Sequence, residues 1–182
     1  LKGRGCRDLL DVCLFLGSNM LELSGMAKTR KEAATMLEDA LKSGEGLDKF
    51  KEMVTSQGGN CTALDDYSLL PQAKIKHEIK AGSDSYLATI KAEELGLCAM
   101  RLGAGRATKD DIIDLSVGIM LNKKVGDFVH KDEVIATVYA NDEKKLDMVL
   151  PDITEAIETS KERIERPKLI YSLVTKDGIQ QY

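Results

Sequence analysis

The residues with the strongest claim on chemistry form the run Arg101-Leu102-Gly103-Ala104-Gly105-Arg106-Ala107-Thr108-Lys109-Asp110-Asp111. Two glycines stand one residue apart, followed by an arginine and the signature of a helix start. Such a loop either turns the chain, or holds an anion or a neighbouring domain through Arg106 and free backbone N–H groups. The dinucleotide fingerprint is excluded, because it needs a third glycine, a strand before the loop and a helix after it. Here a helix precedes the loop. Thr108 with Asp111 three residues on has the form of an N-cap and its reciprocal acidic partner, which predicts a second short helix after the turn. On spacing alone the structural turn is favoured.

Other candidates are weaker. His77 lies between Ile75 and Ile79 on one face of an alternating stretch, the setting of a satisfied core histidine, and His130 sits in a turn where solvent reaches it. Asp110, Asp111 and Asp114 have the right chemistry for a metal, but a helix N-terminus favours acidic residues anyway. Cys6, Cys13, Cys61 and Cys98 form no C-x-x-C and stand beside neither histidine, so no metal site is expected and the thiols read as reduced. Lys123 and Lys124 read as a solvated strand end. Val125-Gly126-Asp127-Phe128-Val129 before an apolar strand has the form of the hairpin in biotinyl and lipoyl carrier domains. Such carriers present a modified lysine in a Met-Lys-Met or Asp-Lys-Ala setting, and neither tripeptide occurs; Asp48-Lys49-Phe50 comes nearest, in a helix. No serine or cysteine carries a nucleophile motif, and nothing resembles a self-sufficient active site.

The elements that would position these residues fall into two textures. Arg7 to about Ala27 reads as a helix apolar on nearly every side (Leu9, Leu10, Val12, Leu14, Phe15, Leu16), which needs partners all round. Gly17-Ser18-Asn19 and Glu22 interrupt it, so it is not a membrane span, and the chain is expected to be a piece of something longer. Thr29 to Glu32 is a capping box opening a helix on Ala33, Met36, Leu37, Ala40 and Leu41, with Gly44 placed to close it. Leu47, Phe50 and Val54 line a third helix that stops at Gly58-Gly59.

Residues 1–60 are thus a helical module and 61–72 a polar linker. Residues 73–182 form an α+β module in which strands outnumber helices. Ile75, His77 and Ile79 alternate with Lys74, Lys76, Glu78 and Lys80, the period of a half-buried strand. Residues 86–91, 117–123, 134–140 and 168–175 read as further strands, and 152–165 as a helix on Ile153, Ala156, Ile157 and Ile164 ended by Pro167. The net charge of −4 and an aromatic content of 4% argue against a nucleic-acid binder. No apolar run approaches the ~20 residues of a membrane span.

The run from Leu102 to Asn141, LGAGRATKDDIIDLSVGIMLNKKVGDFVHKDEVIATVYAN, resembles the C-terminal domain of the pyrimidine-nucleoside and thymidine phosphorylases. That family carries L-G-A-G-R-x-T-K, then I-D-x-x-V-G-I, then K-K-V-G-D-x-V. Upstream, LFLGSNML and FKEMVTSQGGN resemble its L-G-S-x-M-L helix and F-x-x-M-V-x-x-Q-G-G segment, so the likeness covers residues 8–141; the tail from Pro151 matches loosely. The chain departs from the pattern at Asp84-Ser85-Tyr86-Leu87, where the family has D-G-Y-V, and at His130-Lys131-Asp132-Glu133, where it prefers K-K-G-E. Both replace a glycine by a residue that tolerates positive φ less well.

The resemblance implies the last helices of an α/β domain followed by a C-terminal α/β-hammerhead-like domain with a carrier-like hairpin. It implies reversible phosphorolysis: orthophosphate attacks C1′ of a pyrimidine nucleoside and releases the base and a pentose 1-phosphate, in a cleft that closes around both substrates. The family's phosphate loop (K-x-S-T-G-G), base-reading arginine, serine and lysine, and monovalent-cation site belong upstream of Leu1, so the chain alone is expected to be inactive and to hold no cofactor or metal. Gly103, Gly105, Arg106 and Thr108 become a cleft-closure loop of the whole enzyme. That enzyme would be a cytoplasmic homodimer taking a pyrimidine nucleoside and phosphate, with no nucleic-acid or membrane partner. The alternatives are a non-catalytic binding or carrier module with the same hairpin, and a relative of anthranilate phosphoribosyltransferase, which should lack the C-terminal module.

Overall fold

The computed structural model describes residues 1–182. In chain order the elements are α1 (Arg7–Leu23), α2 (Arg30–Ser43), α3 (Glu45–Ser56), two short 3-10 turns (Cys61–Leu64 and Tyr67–Leu69), β1 (Ile75–Lys80), β2 (Ser85–Ile90) and α4 (Ala92–Ala99). A wide π-type turn over Met100–Ala104 extends α4. There follow β3 (Gly118–Leu121), β4 (Phe128–Val129), β5 (Val134–Ala140), α5 (Glu143–Glu155), β6 (Ile157–Ser160), β7 (Ser172–Thr175) and β8 (Gly178–Gln181). The content is α+β. The chain divides into two compact units, residues 1–67 with 168–182, and residues 68–167. The last fifteen residues, read in sequence as the end of the second module, thus belong to the first unit.

In the first unit, α2 starts as its sequence dictates. The Thr29 hydroxyl accepts the Glu32 N–H at 3.2 Å, while the Glu32 carboxylate reaches back to the Lys28 N–H at 2.9 Å. Gly44, at φ 84°, closes the helix in the left-handed conformation. Helices α1 and α2 pack so closely at Gly17 that a Cβ there would sit 2.8 Å from Leu37 Cδ1. Only one side of α1 is covered. Leu9, Cys13, Leu16, Met20 and Leu23 lie exposed at alternating spacings of four and three, within a sector of about 80° at 100° per residue. The C-terminal hairpin β7–β8 is tied to this unit by Arg30, which donates to Gln180 Oε1 at 3.0 Å and to the Tyr182 hydroxyl, and by an edge-to-face contact of Tyr182 with Phe15.

The second unit holds two antiparallel three-stranded sheets, with orders β1-β5-β3 and β4-β2-β6. Strand β1 alternates as its sequence predicts: Ile75, His77 and Ile79 are half-buried while the lysines and Glu78 face water. The apolar strand β5 is central, pairing with β1 on one edge (Ile75↔Ala140) and β3 on the other (Leu121↔Ala136). Its Val138 and Ala140 join Leu95 and Cys98 of α4 and Leu146, Val149 and Ile153 of α5 in the main core, and Ala81, Leu87, Val129 and Ile135 form a second cluster.

Two helical expectations are corrected. The segment 152–165 is helical only as far as Glu155. The helix here is α5, which begins nine residues earlier at Glu143, with the Asp142 carboxylate accepting the Lys145 N–H at 3.1 Å. Leu146, Val149, Leu150 and Ile153 supply its inner face at helical spacing. Pro151 is tolerated within it on the exposed side. Residues 157–160 instead form β6 against β2. The second correction is that no helix follows Thr108; the chain from Gly105 to Val117 is a loop with turns. Lys123 is not a solvated strand end either, since it is half-buried and its Nζ lies 2.5 Å from Glu133 Oε1.

Candidate functional site

The loop that follows α4 is the one place where the sequence candidates converge. Gly103, at φ 119° and ψ 1°, breaks the helical geometry in a region that only glycine adopts without strain. Gly105 is extended, at φ −141°, and is small for a different reason: a Cβ there would meet Met100 Cγ at 3.1 Å. One glycine supplies conformation and the other supplies room.

The backbone N–H groups of Ala107 and Thr108, two of the donors open to an anion, are already taken. The Asp111 carboxylate accepts the backbone N–H groups of Ala107 at 2.8 Å and Thr108 at 2.9 Å, and its other oxygen accepts the Thr108 hydroxyl at 2.8 Å. These bonds from Thr108, reinforced by Ala107, hold the Asp111 carboxyl below its usual range. This is half of the anticipated capping arrangement without the helix: the acid satisfies the N–H groups of Ala107 and Thr108, and the chain then continues as irregular loop to Val117. The loop therefore carries its own anion. Arg106 and Lys109 are exposed and engaged in no ion pair or hydrogen bond, and Ile112 beside them is 93% exposed.

The loop's base is closed by a network that sequence reasoning did not identify. Asp114 N–H donates to the Gly103 carbonyl at 2.9 Å, bringing the two ends together. The Asp114 carboxylate accepts the Ser116 hydroxyl at 2.6 Å, the Asn141 amide at 2.7 Å and the Ser116 N–H at 3.0 Å, and these bonds lower its pKa. Asp114, considered above as a metal ligand, is thus committed to hydrogen bonds. The readable signal was local: an Asp-x-Ser turn and an asparagine closing an apolar strand.

The remaining candidates stay apart. His77 lines an open groove with Ile79 of β1 and Asp147, Leu150, Pro151, Thr154 and Glu155 of α5, which includes no residue of the loop. His130 is exposed, with its ring edge-to-face on Phe128 at 5.1 Å and its N–H donating to Glu133 Oε2 at 2.9 Å. No group of three or more His, Cys, Asp or Glu side chains is placed to hold a metal ion. No helix is long and apolar enough to cross a membrane. At the two positions that depart from the family pattern, Ser85 is a buried strand residue with ordinary backbone, whereas Asp132 has φ 65° and is the sole non-glycine residue with positive φ.

A family model described as the pyrimidine nucleoside phosphorylase C-terminal domain matches residues 86–160, which contain the loop, both glycines and Asn141. Curated relatives match along nearly the whole chain. A pyrimidine-nucleoside phosphorylase of Geobacillus stearothermophilus is 45% identical over 96% of this chain and 40% of its own length. That of Bacillus subtilis (strain 168) is 46% identical over 97% of this chain and 40% of its own. One from Staphylococcus aureus (strain USA300) is 40% identical over 97% and 40%. The chain spans about 40% of the length of these relatives, in their C-terminal part. Residues 86–160 thus match the pyrimidine nucleoside phosphorylase C-terminal domain, and nearly the whole chain is similar to the C-terminal part of pyrimidine-nucleoside phosphorylases.

Proposed function

We propose that this chain serves as the C-terminal part of a pyrimidine-nucleoside phosphorylase, a pentosyltransferase in which a phosphate oxygen attacks C1′ of a pyrimidine (deoxy)nucleoside. The N-glycosidic bond breaks, the base leaves, and a (deoxy)ribose 1-phosphate is formed; the reaction runs in both directions. Uracil and thymine nucleosides are the substrate class. In this reading the groups that hold phosphate, base and a monovalent cation lie upstream of Leu1, the whole enzyme is a cytoplasmic homodimer, and the second unit is hammerhead-like with a carrier-like hairpin. The role left to this chain is positional. The loop bearing Gly103, Gly105, Arg106 and Thr108 meets the rest of the enzyme and stabilises the closed cleft, which excludes water from the reacting atoms.

One observation carries this role. A turn that satisfies its own N–H groups with Asp111 leaves two cations, Arg106 and Lys109, and an apolar side chain, Ile112, outside any contact. Such a tip suits an external surface better than a free anion. The test is a spectrophotometric assay of the longer polypeptide with uridine and with thymidine, with and without phosphate, beside the 182-residue chain. Phosphate-dependent release of base by the longer protein alone is expected. Release by the 182-residue chain, or none by the longer protein, refutes the proposal. Replacing Arg106 by alanine in the longer protein should lower kcat; unchanged kcat and KM would leave the loop a structural role only.

A further inference from the structure

A loop that exposes its apolar side chains is not positioned by a hydrophobic core. Ile112 is 93% and Leu115 79% exposed, and every hydrogen bond made by residues 106–113 stays within the loop. The position of the tip is therefore set at its base. There the Asn141 side chain, just past the end of β5, uses both ends of its amide. Oδ1 accepts the Lys74 N–H at 2.8 Å, at the entry to β1. Nδ2 donates to Asp114 Oδ2 at 2.7 Å and to Ser116 Oγ at 2.8 Å. One side chain joins the edge of the central sheet to both residues that turn the loop back.

Asparagine is suited to this place and aspartate is not. The group facing Asp114 must donate, since Asp114 is an ionised acceptor, and the group facing Lys74 must accept. We propose that Asn141 is the positioning residue of the 103–114 loop, its amide fixing the loop on β1 and β5 so that Arg106, Lys109 and Ile112 are presented as one pre-shaped tip. What the tip meets rests on the function proposed above; how it is held does not.

Amide hydrogen exchange read by mass spectrometry on the 182-residue chain tests this. In N141A, exchange in the peptide covering residues 103–116 should accelerate about tenfold or more, while peptides from β5 and α5 keep their protection. N141D supplies a readout that plain loss of packing would not move. At pH 8 the introduced carboxylate and that of Asp114 repel across the site, with Lys145 the cation whose charge acts on Asp114, and the loop should exchange as fast as in N141A. At pH 5 the two carboxylates share a proton, the O–H donor replaces the amide, and protection corrected for intrinsic rates should return toward the native value. Native chain and N141A should show no such reversal. Unchanged loop exchange in N141A overturns the proposal, as does a pH-independent N141D, or acceleration spread equally over the whole unit. Should N141A fail to fold, N141D at pH 5 against pH 8 decides alone. In the longer polypeptide, a loosened loop with undiminished turnover would leave the positioning by Asn141 standing and refute the cleft-closure role.

Discussion

The two glycines of the 103–105 turn should respond to alanine in opposite ways. At Gly103 the obstacle is conformational. An L-residue at φ 119° and ψ 1° is strained, at about 1–3 kcal/mol, although the added Cβ would meet only ordinary contacts at 3.6 Å from Asp114 Cβ and 3.7 Å from Val117 Cγ2. The stiffer unfolded chain returns about 0.4–1 kcal/mol, so the net loss is about 1–2 kcal/mol. In a unit spanning residues 68–167, each kcal/mol moves the melting midpoint by about 4–8 °C, a fall of about 5–15 °C. At Gly105 the backbone is already acceptable to alanine, and the obstacle is Met100, whose Cγ and Cβ lie 3.1 and 3.2 Å from the new methyl. A methionine side chain moves readily, so repacking at about 1 kcal/mol roughly cancels the unfolded-state gain. Calorimetry on the two variants of the 182-residue chain measures the order directly. A Gly105→Ala variant that melts as low as Gly103→Ala, or lower, would refute the assignment of conformation to one glycine and room to the other.

Three further outcomes follow from named groups. Replacing Asp132, at φ 65°, with glycine should raise stability by up to about 1 kcal/mol, read as a higher urea midpoint; a lower midpoint would show that the aspartate side chain contributes more than its backbone costs. Asp111 and Asp114 have lowered pKa values because their ionised forms accept hydrogen bonds. Their contribution is present above the unfolded value near 3.9 and is lost as pH falls through the lower folded values. Loop amides of Ala107, Thr108 and Ser116 should keep their protection at pH 5 and lose it in that acid window, whereas loss already at pH 6 would contradict the cause given. Among the thiols, Cys6 and Cys13 are exposed and Cys98 is buried, with burial pushing its thiol up. Ellman's reagent should therefore label the first two rapidly and Cys98 only after unfolding; fast native labelling of Cys98 would dislodge it from the core.

Local physics was legible in the sequence, and long-range physics was not. The capping box at Thr29–Glu32, the glycine stop at Gly44 and the alternation of β1 each depend on residues within four positions of one another, and each stands as read. The helix read over 152–165 is misplaced because the apolar spacing of Ile153, Ala156 and Ile157 runs on past Glu155, where α5 ends, and because Pro151 sits inside α5 on its exposed face. The missing helix after Thr108 has the opposite cause. Its capping signal was real, but the Asp111 carboxylate is spent on the turn and Ile112 has no core to face. Asn141 escaped notice because its partners, Lys74, Asp114 and Ser116, are brought to it only by the pairing of β5 with β1 and the return of the loop.

The division of the chain has a consequence for the order in which it becomes structured during synthesis. The second unit is complete in sequence once residue 167 has been made, and its last strand, β6, ends at Ser160. The first unit instead joins residues from both sides of the second: Arg30 donates to the Tyr182 hydroxyl and Phe15 packs edge-to-face on Tyr182, so these contacts can form only after residues 68–167 have been made. In a chain that folds as it is synthesised, the sequence of the second unit is therefore complete before the β7–β8 hairpin is available to the first.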